Sequence, residues 1–95
     1  MRYRLRAVAQ RDVRNLYRRS IETFGIKQAD RYYDGLIETF DLLVEFPESG
    51  AARTDLSEGL RFRPYGTHNV YYRLGIEEII VVRILHMRQD ESKVH

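Results

Sequence analysis

Residues 79–85 (IIVVRIL) constrain this chain more than any other segment. The run is β-branched and apolar, and so reads as a strand. A strand with one wet face alternates apolar and polar residues. This one is apolar on both faces, which requires a cover above and below. Strict alternation puts Ile80, Val82, Ile84 and His86 on one face and Ile79, Val81, Arg83 and Leu85 on the other. An arginine inside such a strand needs a charge partner or a bound ligand.

The preceding sequence supplies one cover. Tyr3, Leu5 and Ala7 alternate with Arg2, Arg4 and Arg6, a short strand. From Ala9 the period becomes helical, with Ala9, Val13, Leu16, Tyr17, Ile21 and Phe24 on one stripe and Gly25 as a stop. A second helix spans residues 27–46, with Ala29, Tyr32, Tyr33, Leu36, Ile37, Phe40, Leu43 and Val44 as its stripe and Pro47 ending it. So short a link makes the pair an antiparallel helical hairpin. Residues 48–59 read as a loop. Period two then returns in residues 60–63, a turn at Pro64-Tyr65-Gly66-Thr67, residues 69–74, a turn at Gly75-Ile76-Glu77, and the 79–85 strand. The fold class is α+β, in the order β-α-α-β-β-β, with a mainly antiparallel sheet and the helical hairpin on one face. One hairpin covers one face. Unless the 48–58 loop or the polar tail folds across the other, that face is exposed and carries apolar residues beside arginine and tyrosine, a mix typical of protein interfaces.

Ninety-five residues make a single domain, 1–95, with a modest core. No segment approaches the roughly 18 apolar residues of a membrane span. The basic start lacks the apolar block of a signal peptide. The absence of cysteine excludes disulfides and thiolate metal sites and fits a reducing cytoplasm. Net charge is only +2, but it is segregated: +6 over residues 1–19, −6 over 30–58 and +3 over 59–88. All basic residues but Lys27 and Lys93 are arginine, whose planar fork suits carboxylate or phosphate. An acidic partner is therefore expected, although the low net charge does not make nucleic acid the default. Asp30, Asp34, Glu38, Asp41 and Glu45 form an acidic stripe on the second helix, and Arg11, Arg14 and Arg18 a basic one on the first. They are expected to pair across the hairpin or to be solvated.

The chemical inventory is thin. His68, His86 and His95 are far apart in sequence and lack metal-ligand spacing. No phosphate loop, nucleophile elbow or cysteine nucleophile is present, and no cofactor is implied. His86, Arg83, Arg61, Arg63 and Tyr71 contain the groups needed for metal-free RNA cleavage, a general base or acid and arginines for the phosphorane. His86, however, shows no second histidine or glutamate on the sheet as its acid–base partner, so a structural role is preferred.

Several motifs in order resemble the RelE/ParE toxin superfamily, and the ParE branch in particular. They are Ala9-x-x-Asp12-Val13, Phe24-Gly25-Ile26-x-Gln28-Ala29-x-x-Tyr32, Phe46-Pro47-x-x-Gly50, Gly59-Leu60-Arg61, Gly66-x-His68-x-Val70-x-Tyr72-Arg73 and Val82-Arg83-Ile84-Leu85-His86-x-Arg88-x-Asp90. The resemblance spans essentially the whole chain. It implies the toxin of a type II toxin–antitoxin module that blocks DNA gyrase without being an enzyme. A ParD-like antitoxin tail, disordered alone, would fold on binding and neutralise it. It implies no sequence-specific nucleic-acid binding by the chain alone. The interaction residues it suggests are Arg61, Arg63, Tyr71, Arg73, Arg83, His86 and Arg88. The ribonuclease branch is the alternative, with His86, Arg83 and Arg61 as catalytic candidates, as is an inactive toxin that keeps antitoxin binding. Asn69, where some of the ribonucleases have arginine, favours the ParE branch.

Overall fold

A computed structural model describes residues 1–94. Strand β1 (Arg2–Leu5) leads into helix α1 (Ala7–Phe24), and α2 (Ile26–Glu45) follows after one residue. The remaining strands are β2 (Ala51–Ala52), β3 (Arg61–Tyr65), β4 (His68–Gly75) and β5 (Glu78–His86), followed by a single 3₁₀ turn, Glu91–Val94. The sheet order is β1-β5-β4-β3-β2. β1 runs parallel to β5, and every other pairing is antiparallel. The expected order therefore stands, with a two-residue edge strand added inside the 48–59 loop.

Gly25 makes the one-residue link possible. Its φ of 88° lies where side chains are strained, and it closes both helices, donating its N–H to Ile21 and accepting from Ala29. The hairpin lays Ala9, Leu16, Leu36, Phe40 and Leu43 on Val70, Tyr72, Ile79, Val81 and Ile84, all buried. Each large side chain of that set contributes about 1.5–3 kcal/mol by leaving water. At one end of the layer α2 and the β3–β4 hairpin interlock. Tyr65 crosses under the helix and donates its hydroxyl to the Tyr32 carbonyl at 2.8 Å, while the Tyr32 hydroxyl reaches back to the Tyr65 carbonyl at 3.0 Å. Gly35 makes room for this, because a Cβ there would stand 2.0 Å from the Tyr65 hydroxyl.

The two faces of β5 do not follow simple alternation. Tyr71 pairs with Arg83 but the next residue, Tyr72, pairs with Val81, so Val82 is an extra residue in the strand. This β-bulge reverses the phase. Ile79 and Val81 face the helices, as does Ile84, while Val82 and Leu85 face away. Alternation had placed Val82 with Ile84 and Val81 with Leu85; the bulge is why it fails.

The expectation of an exposed second face also fails. Val82, Leu85, Tyr71 and Leu60 form a second buried cluster, closed by Val94 of the tail and by Leu56 and Phe62. Glu91 fastens the tail, accepting from Arg53 at 2.6 and 3.0 Å and from the Tyr71 hydroxyl. Arg53 also lies over the Phe62 ring and pairs with Asp55. Polar tail residues thus act as clamps for one apolar plug. The two helical charge stripes do not meet. The ion pairs among the described residues join Arg4 to Glu78, Arg53 to Asp55 and Glu91, and Arg83 to Asp12. The stripes are solvated faces.

Replacing Gly35 with alanine is expected to lower unfolding free energy by about 1–3 kcal/mol, because the Tyr65 ring must leave its place. Urea denaturation checks this. A Gly35→Ala, Tyr65→Leu double variant, which removes the obstructing hydroxyl, should lose less than the sum of the two single changes.

Candidate functional site

The seven arginine, tyrosine and histidine candidates do not form one patch. Tyr71 is fully enclosed, and its hydroxyl is pushed up to about 12 by burial and by the hydrogen bond to Glu91. It is a core residue. Arg83 turns toward α1, where its Nε and Nη2 donate to Asp12 at 2.8 and 2.9 Å, and its Nη1 donates to the Lys93 carbonyl at 2.7 Å. Only 15% of its side chain and 12% of that of Asp12 remain exposed. Both Tyr71 and Arg83 are therefore internal, contrary to the partner-facing role the sequence suggested. The bulge pairs Arg83 with Tyr71 on the face away from the helices, and its guanidinium still reaches Asp12 of α1, whose carboxylate also accepts from the next backbone N–H of β5, that of Ile84. Arg61 donates to the Glu48 and Gly50 carbonyls, Arg63 to the Ser49 hydroxyl, and Arg73 to the Ser57 hydroxyl and the Glu58 carbonyl. These three are half-buried and staple the 48–59 loop to the sheet. Arg88 is exposed just beyond β5. The set His86, Arg83 and Arg61, which RNA cleavage would need, has its guanidinium groups committed to three separate elements.

His86 does have a partner, and sequence reasoning missed it. His68 opens β4 directly opposite His86, with the ring centroids 5.4 Å apart and the planes at 84°. Counting outward from the Ile76–Glu77 turn would have paired His68 with Leu85, and the bulge moves the pairing by one residue to His86. Together the rings line a cleft of about 450 Å³ between α1, the tip of the helical hairpin and the ends of β4 and β5. Leu16, Phe24 and Ile84 are among its apolar walls, and Arg19, Gln28, Tyr32 and Gln89 are among its polar groups.

Hydrogen bonds fix what each ring presents. The Tyr32 hydroxyl has one proton and three contacts: the Tyr65 carbonyl at 3.0 Å, His68 Nδ1 at 2.8 Å and the Thr67 N–H at 3.2 Å. All three are hydrogen bonds only if Tyr32 donates to the carbonyl and accepts from the other two. His68 then carries its proton on Nδ1 and leaves a lone pair on Nε2. His86 is the reverse. Its Nδ1 accepts the Arg88 N–H at 3.1 Å, so the neutral ring bears its proton on Nε2. To work as a general acid, His86 would need a proton on both nitrogens, and the bond from Arg88 would be lost. Burial and the nearby His86 pull His68 down to about 4, so it is neutral at pH 7. The pair is built to present one acceptor and one donor rather than to pass protons. Among the described residues no group of three His, Asp or Glu is arranged to hold a metal ion, and no helix is long and apolar enough to cross a membrane.

A family model described as the ParE toxin of the parDE type II toxin–antitoxin system matches residues 3–91. The chain belongs to the ParE toxin family. Toxin ParE1 of Caulobacter vibrioides is 32% identical over 88 residues, covering 93% of this chain and 91% of the relative. Toxin ParE1 of Mycobacterium tuberculosis is 32% identical over 93 residues, covering 97% and 95%. The fold agrees as well. A chain from a structure of the chromosomal ParDE TA system from P. aeruginosa superposes with a TM-score of 0.77 at 20% identity, covering 90% of this ParE-family chain and 95% of that one.

The His68 pKa gives the fold a pH dependence. An unfolded histidine takes its proton near pH 6.5, whereas the folded ring resists until about 4. The His68 contribution is therefore complete above about pH 6.5, falls as pH drops through that window and levels off below about 4. Full displacement would correspond to about 3 kcal/mol, and solvent screening of the partly exposed ring reduces this to about 1–2 kcal/mol. Urea midpoints of the parent chain and of His68→Asn, measured from pH 7.5 to 4.5, should converge at the acid end by that amount.

Proposed function

We propose that this chain is the toxin of a ParDE-type pair, that it blocks DNA gyrase, and that an antitoxin tail folding on its surface neutralises it. The observation that carries the reading is the family match, which spans residues 3–91, from β1 through β5 to the first residue of the last turn. The site supports it by what it withholds. The arginines of a ribonuclease arrangement are engaged with loop carbonyls and with Asp12, and the histidine pair presents one acceptor and one donor. Inhibition by binding needs a shaped surface and no proton transfer. This surface offers the exposed Arg88, the half-buried Arg61, Arg63 and Arg73, and the cleft edge at His86. An acidic or amphipathic tail suits those arginines. Tyr71 and Arg83 leave the proposed interaction set because they are internal.

A gyrase supercoiling assay tests the reading. Purified chain should inhibit supercoiling and trap cleaved DNA, and equimolar antitoxin should restore activity. Folded protein that leaves supercoiling untouched would overturn the gyrase target. Message cleavage in a translation extract, abolished by His86→Ala, would install the ribonuclease in its place. Arg88→Glu should weaken antitoxin binding about tenfold or more while leaving the urea midpoint near its parent value, since an exposed surface charge contributes little to folding. Calorimetric titration measures the first and denaturation the second.

A further inference from the structure

We infer that the His68–His86 cleft is a binding site for an unpaired nucleotide of a nucleic-acid strand. Three independent features of the cleft converge on this chemistry. The first is hydrogen-bonding sense. Neither ring Nε2 is hydrogen-bonded within the described residues. No buried or half-buried side chain there hides a polar atom without a partner, so both nitrogens open to solvent. The two rings that line the cleft thus carry one unengaged lone pair, on His68, and one unengaged N–H, on His86. The edge of every nucleobase that pairs in a duplex sets a donor beside an acceptor, the complement of this arrangement.

The second feature is shape. The cleft is about 450 Å³, inside the ~300–1,000 Å³ range of small-ligand sites. Leu16, Phe24 and Ile84 give apolar contact for a flat ring, and the Tyr32 and His68 rings, 5.6 Å apart and edge-on, add an aromatic wall. Phe24 is 60% exposed at the hairpin tip, an apolar side chain in contact with water until something covers it. Stacking of an unpaired base on such a platform is the usual means of holding single strands.

The third feature is charge. Asp12 is the one acid in the lining, and Arg83 neutralises it. Arg19 lines the cleft with no ion pair or hydrogen bond of its own among the described residues, and Arg88, two residues beyond His86 in the chain, is exposed. A ligand with an anionic backbone and a neutral, two-sensed edge satisfies all of these groups. An acidic peptide does not. A carboxylate offers acceptors only and would set its oxygens against the His68 lone pair. A side-chain amide matches the edge but leaves both arginines unused.

The test is a titration of isotope-labelled chain with an unpaired thymidine tetranucleotide, followed by side-chain and backbone shifts. Shifts should concentrate at His68, His86 and Arg19. The same tetramer methylated on thymine N3, which removes the edge donor, should bind about tenfold more weakly. Arg19→Gln should lower affinity and reduce the salt slope by about one. The ligand-side change keeps the proposal testable even if a cleft variant folds poorly. Four results would overturn it: no shifts with millimolar tetramer, equal binding of the methylated strand, the same shifts from inorganic phosphate alone, or equal binding of a glutamate-rich peptide. The inference does not rest on the gyrase target. Gyrase inhibition without tetramer binding sinks the nucleotide site alone, and tetramer binding without gyrase inhibition sinks the gyrase target alone.

Discussion

The contact between Arg83 and Asp12 organises the rest of this molecule. Asp12 accepts from two guanidinium nitrogens and from the Ile84 backbone N–H at 2.9 Å, so one carboxylate fixes helix α1 to strand β5 at the point where the strand bulges. A buried arginine without this partner would face a heavy desolvation cost. With it, the extra residue in β5 is held open and the phase of the strand is reversed. That reversal has consequences at both ends of the protein. It turns Arg83 and Leu85 toward the face that the tail covers, and it brings His86 opposite His68 at the cleft. The third guanidinium nitrogen donates to Lys93, which ties the tail to the same junction.

The two covers of the sheet differ in kind. The helical hairpin buries a continuous apolar stripe, with the Tyr32–Tyr65 interlock and the Asp12 carboxylate as its polar ties to the sheet. The second cover is a short turn with one apolar side chain, Val94, and it stays in place through charge: Arg53, Glu91, Tyr71 and Arg83 together. Many small domains finish a face that their helices cannot reach with a short segment held in this way. Here it means that the proposed interaction surface lies not on the open face of the sheet but at its ends and edges, where the arginines staple the 48–59 loop and where the histidine pair lines the cleft.

Much of this could be read from the chain. The helical stripes and the Gly25 break gave the hairpin, and alternation gave β1, β3 and β4, because these elements obey one local period each. The motifs from Ala9 to Asp90 placed the chain in its family. The site was less legible. A bulge leaves no mark in an all-apolar run, since Val82 and Ile84 are interchangeable by periodicity, so those two were put on one face and Val81 with Leu85 on the other; Arg83 was expected at the surface because neither Asp12 nor the tail signalled that it would enclose the guanidinium. The pairing of His68 with His86 depends on that same bulge. The tail looked polar because its single buried residue is surrounded by the charged residues that clamp it. Asp12, the sixth residue of a helix rich in arginine, carried no sign that its partner stood 71 residues away.

The central claim is that Arg83 and Asp12 form a structural pair on which the bulge and both covers depend. A double-mutant cycle tests it most directly, with Arg83→Leu, Asp12→Leu and the combined variant unfolded in urea at pH 7. Each single change should cost about 3–5 kcal/mol, because it strands a half-buried charge, and the combined variant should lose clearly less than the sum, with a coupling of about 2 kcal/mol or more. Additive losses, or an Arg83→Leu variant as stable as the parent chain, would contradict the account and return Arg83 to the surface as a partner-binding residue.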